Sequence, residues 1–293
     1  MIATVGPCLP YDLLEASGRY AGPLPWDLGQ PTPRADAWLE TKFPGWARSM
    51  LEDWAEGRFD QNSSVVFCRA DDAAQRLYYY ICELQRRGLV GGPRPLIFDV
   101  AKIPRASSET HTIEGVRRLA EEFGLDNEAL EAGIVATNRK RGAGTETAPA
   151  GRACLLAGTP PPHRLLHDAI AAAGFAPIGP TLAEVWADAG PAVEEATGDP
   201  AAAIGRQVHR RHDDRRGFGD AARSTLELAR RSGAEAAILW YGEEDEVRVW
   251  DVPGVRETLA EAGVPLLLMT RRDEAARDGA PAEVRAFLEG LKS

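Results

Sequence analysis

The chain has 293 residues, 44% of them hydrophobic, with 34 Lys plus Arg against 44 Asp plus Glu and a net charge of −10. That length and apolar content suffice for one large domain or two ordinary ones, and they exclude a disordered chain. The acidic balance excludes a general nucleic-acid binder, which needs a basic face to displace counterions from phosphates. Four widely spaced cysteines, Cys8, Cys68, Cys82 and Cys154, make no short chelating motif and suit reduced thiols in the cytoplasm. The opening MIATVGPCLPYDLLEASG lacks a basic segment followed by a long apolar run, so no signal peptide is expected. No apolar stretch reaches the ~18 residues of a membrane span.

In chain order, SVVFC at Ser64–Cys68 reads as a buried strand, followed by a helix over 71–87. PLIFDV at 95–100 is the next strand. RKRGAGTETAPAGR at 139–152, rich in Gly, Ala, Thr and charge, reads as a loop joining two lobes. ACLLA at 153–157 opens a second set of elements, with a helix over 165–173 after it. The polar stretch VHRRHDDRRGFG at 208–219 reads as an exposed helix end and loop. AAILWY at 236–241 and PLLLM at 265–269 are further strands, separated by a helix over 255–262. Apolar strands alternating with helices imply parallel sheets with right-handed crossovers, buried on both faces. The predicted fold class is α/β: two Rossmann-like (flavodoxin-like) lobes with parallel sheets plus helical segments, divided into 1–145 and 146–293.

Ligands of open α/β sheets gather beyond the carboxyl ends of the strands. Three such ends stand out: 68–72, 158–163 and 242–246. No Walker-type loop and no G-x-G-x-x-G follows a strand, so neither ATP nor NAD is expected by those motifs. His209 and His212, three apart and followed by Asp213 and Asp214, have the spacing of a metal pair. Four arginines crowd them, which favours a solvated charged face. His163, after three prolines, and His111, in a polar stretch, are candidate proton-transfer groups without a partner visible in sequence.

Several segments, in order, resemble the 2-hydroxyacyl-CoA dehydratase / benzoyl-CoA reductase subunit family. LPYDLLEASG at 9–18 is similar to its P-x-E-L-I-x-A-A-G opening, and PGWARSML at 44–51 to C-P-x-A-R-S-x-L. VVFCRADDAAQRLY at 65–78 resembles V-V-x-x-x-x-C-D-x-x-R-x-L-Y. Asn138, with Arg139 and Arg141 nearby, resembles the family's N-x-x-R. GRACLLAG at 151–158 and the tail 234–288 are similar to its later strand and helix segments. In that family three cysteines hold a [4Fe–4S] cluster, an ATP-driven activator supplies an electron, and related subunits work in pairs on acyl-CoA thioesters.

The chain departs from the pattern at the cluster. The three cysteine positions fall on Pro44, Asp71 and Asp245, and neither proline nor a hard carboxylate replaces the thiolate that iron–sulfur ligation requires. No cofactor is expected; an atypical [4Fe–4S] cluster would have to use Cys68 with carboxylates. Cys68 otherwise packs as a small hydrophobe at the end of its strand. Asp71, Asp72 and Asp245, brought toward one pocket by the resemblance, are the candidate catalytic carboxylates, for acid–base work or for a hard cation. Asp71 and Asp72 equally suit a helix cap. Glu243, Glu244 and Glu246 add negative charge that repels an anionic thioester. Arg48, Arg105 and Arg152, with Arg139, look retained from the family and suit phosphate or carboxylate recognition.

The resemblance therefore implies a cluster-free, cytoplasmic subunit of a heteromeric dehydratase-like lyase. It would be paired with a cluster-bearing homologous subunit, and would help form a site for a small acid or acyl-CoA. One alternative is a repurposed enzyme working through Asp71, Asp72 and Asp245; another is a dehydratase with an atypical cluster. Neither nucleic acid nor a membrane is expected as a partner.

Overall fold

The computed structural model describes residues 1–101, 103, 105–143, 151–211 and 220–291. The chain forms two compact units. The first holds Met1–Thr145 and Trp186–Gly219, the second Glu146–Val185 and Asp220–Ser293. The fold is α/β, with one four-stranded, all-parallel sheet in each unit.

In the first unit β1 (Ile2–Val5) lies between β2 (Tyr20–Pro23) and β3 (Ser64–Cys68), and β4 (Arg94–Phe98) pairs with β3, giving the order β2-β1-β3-β4. Successive side chains of a strand point to opposite faces. Val66 and Cys68 accordingly join one core, with Leu13 and Leu14 of α1 (Tyr11–Ala16), Val116 and Leu119 of α5 (Ala106–Phe123) and Ile134 of α6 (Asn127–Ala143). Phe67 points the other way and meets Trp54 of α3 (Gly45–Ala55), ring centres 6.1 Å apart, beneath α4 (Asp72–Arg86). A short helix, α2 (Pro33–Trp38), precedes α3.

The second unit repeats this plan. β5 (Ala153–Gly158) lies between β6 (Ala176–Ile178) and β7 (Ala234–Gly242), with β8 (Leu266–Arg272) outside, in the order β6-β5-β7-β8. Cys154, Leu156, Ile238 and Trp240 face α7 (Leu165–Ala172) and α12 (Ala280–Gly290). Leu155, Ala237, Leu239 and Tyr241 face α10 (Ala221–Ser232) and α11 (Val252–Glu261). Both faces of both strands are buried, which is why these segments read as unbroken apolar runs.

Three expectations are corrected. A single division at 145/146 separates α9 (Pro200–Arg210) from the unit it completes. The chain passes back to the first unit within α8 (Leu182–Ala187), and Ile204 and Val208 of α9 then enter the first core. Gly205 makes that packing possible, since a Cβ there would sit 2.7 Å from the Ile113 Cα of α5. The expected loop at 139–152 begins as helix, because α6 runs on to Ala143; 144–150 lie outside the described residues. His209 and Arg211 are buried rather than on a solvated face, while His212, Asp213 and Asp214 lie outside the described residues. No helix among the described residues is long and apolar enough to cross a membrane.

Candidate functional site: an arginine- and histidine-lined cleft

A cleft of about 600 Å³ opens beyond the carboxyl ends of β3 and β4, lined by Arg69, Gln75, Asp99, Arg105, Ser107 and His111, among others. Its volume falls within the usual range of small-molecule sites, roughly 300–1,000 Å³. Its place on the sheet is where parallel α/β folds collect ligands. β4 ends at Phe98, so Asp99 is the first residue past the strand. Arg69 is the first past β3, fixed there by its N–H donating to the Phe98 carbonyl at 3.0 Å. α5 starts after Arg105 and brings Ser107 and His111, one turn apart, to the same side.

Asp99 organises the cleft. Its Oδ2 accepts from Arg69 Nη1 at 2.5 Å and pairs with His111 Nε2 at 3.0 Å. The Arg105 guanidinium has neither an ion pair nor a hydrogen bond to any of the described residues. Two guanidiniums, an imidazole and a single bridging carboxylate leave this edge cationic within an acidic protein. A planar guanidinium suits a carboxylate or phosphate oxygen pair.

Of the residues singled out by sequence, Arg105 and His111 line this cleft. Asp71 is the N-cap of α4, its Oδ1 accepting from the Ala74 N–H at 2.9 Å, and Asp72 lies exposed in the first turn. A carboxylate so placed satisfies an orphan N–H and favours the positive end of the helix. Arg48 ties down the segment before α3, through Asp36 at 2.6 Å and the Glu40 and Phe43 carbonyls. Arg152 stands before β5, at the amino end of the strand. It pairs with Glu235 at 2.8 Å and lies over the Phe175 ring. Arg139 is exposed on α6.

Asp245 belongs to the second unit and is a staple between loops. Its Oδ2 accepts from Thr159 Oγ1 at 2.6 Å and Arg248 Nη1 at 2.7 Å, and its Oδ1 from the Arg248 N–H at 3.0 Å. Burial opposes ionisation, but Arg248 and the hydroxyl of Thr159 prevail and hold the carboxyl below its usual range. Of the neighbouring acids, Glu243 faces Arg271 at 3.4 Å. His163 Nε2 meets the Ala275 carbonyl at 2.9 Å.

The residues present do not fit an iron–sulfur cluster. Pro44 offers no donor and stands at the N-terminus of α3, and Asp71 and Asp245 are committed as described. Cys68 is fully buried, its Sγ accepting from the Ala70 N–H at 3.3 Å. Burial pushes the Cys154 thiol up to about 12 and also raises that of Cys82, the opposite of a ligating thiolate. None of the four cysteines is disulfide-bonded. Among the described residues no three His, Cys, Asp or Glu gather as a metal site.

The Asn138 and Arg141 side chains have a structural task. Arg141 donates to both oxygens of buried Asp12, at 2.7 and 2.8 Å, and to the Ala189 and Gly190 carbonyls. Asn138 brackets Val193, donating to its carbonyl and accepting its N–H. Together they fasten the returning segment to the first unit. No family model matches the chain, and no curated protein matches it.

Proposed function

We propose that the chain is a cluster-free, cytoplasmic subunit of the 2-hydroxyacyl-CoA dehydratase / benzoyl-CoA reductase type, acting beside a related subunit and holding a small acid or acyl-CoA. The Arg69–Arg105–His111 cleft at the carboxyl edge of the first sheet carries this reading. Its charge matches an anionic ligand, and Arg105 keeps its donors uncommitted among the described residues. The sequence resemblance supports the assembly class, and the commitment of Asp71 and Asp245 to protein contacts favours a subunit without a cluster.

Titration calorimetry with coenzyme A, butyryl-CoA and 2-hydroxyglutarate tests the binding. At least one is expected to bind. Arg105→Ala should weaken it about tenfold or more, since a hydrogen bond to a charged group contributes about 1.5–3 kcal/mol. Failure of all three to bind removes the reading. Anaerobic purification should give a colourless protein without stoichiometric iron and sulfide; a brown protein reverses the assignment.

The reading through Asp71, Asp72 and Asp245 draws no specific support. Two of the three carboxylates already have protein partners, and Asp72 lies exposed to solvent.

A further inference from the structure

We propose that His111 is a general base, held in place by Asp99, that removes an activated α-hydrogen from an anionic carbonyl compound anchored at Arg105. This deepens the function proposed above and rests on its anion-binding cleft.

The geometry assigns the roles. Asp99, ion-paired with Arg69, only accepts hydrogen bonds, so His111 Nε2 carries the proton it shares with Oδ2 at 3.0 Å. Nδ1 is then the atom with the lone pair, and it has no hydrogen-bond partner among the described residues. Asp99 is a positioning residue: it fixes the ring and its tautomer and stabilises the imidazolium that forms. The second contact of Oδ2, to Arg69 at 2.5 Å, holds the carboxylate in turn. Arg105, facing the same cleft without a partner among the described residues, supplies the anchor for the ligand's negative charge. Ser107, one helical turn before His111, offers a hydroxyl to the oxygen on which charge develops.

In the step, the C–H bond next to the carbonyl breaks and its proton passes to Nδ1. The electron pair moves onto the carbonyl oxygen as an enolate. Return of a proton from the imidazolium to carbon, after exchange with solvent, restores the compound with a solvent hydrogen in place of its own. No oxidant or second reactant is consumed. A free 2-oxo acid and an acyl thioester share this chemistry, an activated C–H beside a carbonyl in an anionic molecule.

Deuterium exchange in D2O, followed by proton NMR, tests the assignment on the full chain with 2-oxobutyrate and butyryl-CoA as separate probes. The protein should accelerate exchange of one probe at least about 100-fold over buffer, the low end of general-base contributions. The responding probe separates the free acid from the thioester. His111→Gln should abolish the acceleration. Asp99→Asn should lower the rate at saturation with little change in half-saturation, whereas Arg105→Ala should raise half-saturation and leave the saturated rate. His111 and Arg105 are exposed side chains, so these variants should fold as the parent does. Exchange no faster than buffer, or a His111→Gln protein as active as the parent, overturns the proposal. Calorimetric binding without exchange defeats the base assignment and leaves the anion cleft standing, while absence of binding defeats both.

Discussion

The carbonyl oxygen of Trp240 occupies the space in which a side chain on Gly158 would begin. Gly158 ends β5 with φ +101°, pressed against β7, and a Cβ there would lie closer than 3.0 Å to that oxygen. The same carbonyl accepts the Thr159 N–H at 2.8 Å, and Thr159 Oγ1 accepts from the Gly242 N–H at 3.2 Å. One turn thus depends on glycine twice, for its backbone angle and for its lack of volume. Gly158→Ala should cost about 1–3 kcal/mol from the dihedral alone, plus the displacement of β7. Urea unfolding of parent and variant measures the sum; a loss below the dihedral figure would show that the turn relaxes freely.

Asp12 and Arg141 form an ion pair almost without water, with side chains 1% and 11% exposed. Arg141→Met leaves Asp12 buried and unpaired, which should cost about 3–5 kcal/mol. Asp12→Asn combined with Arg141→Met should lose less than the two single changes added together, because neither partner is then stranded. A double-mutant cycle by chemical denaturation checks this, and strict additivity would contradict it.

His167 sets part of the acid sensitivity of the second unit. Burial lowers its pKa from 6.5, against the opposing hydrogen bond to the Gly179 carbonyl at 2.9 Å. A base whose folded pKa is depressed contributes stability that is full above the unfolded value and is lost as pH falls through the folded one. The parent should therefore lose stability as pH drops below 6.5. His167→Gln should lose less over the same interval, as read from thermal melts at successive pH values.

Asp245 follows the same sign at lower pH. Burial raises its pKa, yet Arg248 and Thr159 bring the folded value below 3.8. Its contribution is present above that value and disappears as the folded carboxylate takes up its proton. Asp245→Asn should cost about 1–3 kcal/mol at neutral pH, and the gap to the parent should close in strong acid. A gap of constant size from pH 7 to pH 2.5 would count against the ion pair as its source.

The long buried strands were legible because burial on both faces writes an unbroken apolar run. β3, β5 and β7 each carry one, while β8 shows the run LLLM at a sheet edge where only Met269 is buried. β1 was not, although it is central to its sheet, because IATV is four residues long and too short for any period to show. β2 (YAGP) and β6 (API) carry glycine or proline and owe their strand character to the neighbour they pair with. The cleft was half legible. The resemblance points to Arg105 and the polar stretch offers His111, whereas Asp99 continues the apolar run PLIFDV, and no local spacing rule links it to His111 twelve residues on. An acidic residue just past an apolar run was the available signal. Asp71 shows the reverse difficulty, since a helix-capping aspartate and a catalytic one occupy the same position in a sequence.

The return of α9 to the first unit has a consequence for how the protein is made. A ribosome releases residues 1–145 long before Ile204 and Val208, the residues that finish their core. During that interval Val116, Leu119 and Ile134 wait without part of their apolar cover, while β5 and β6 are already emerging. The earlier half of the polypeptide is therefore completed by a piece of the later half, and a nascent chain halted near residue 190 would present an open apolar seam to chaperones.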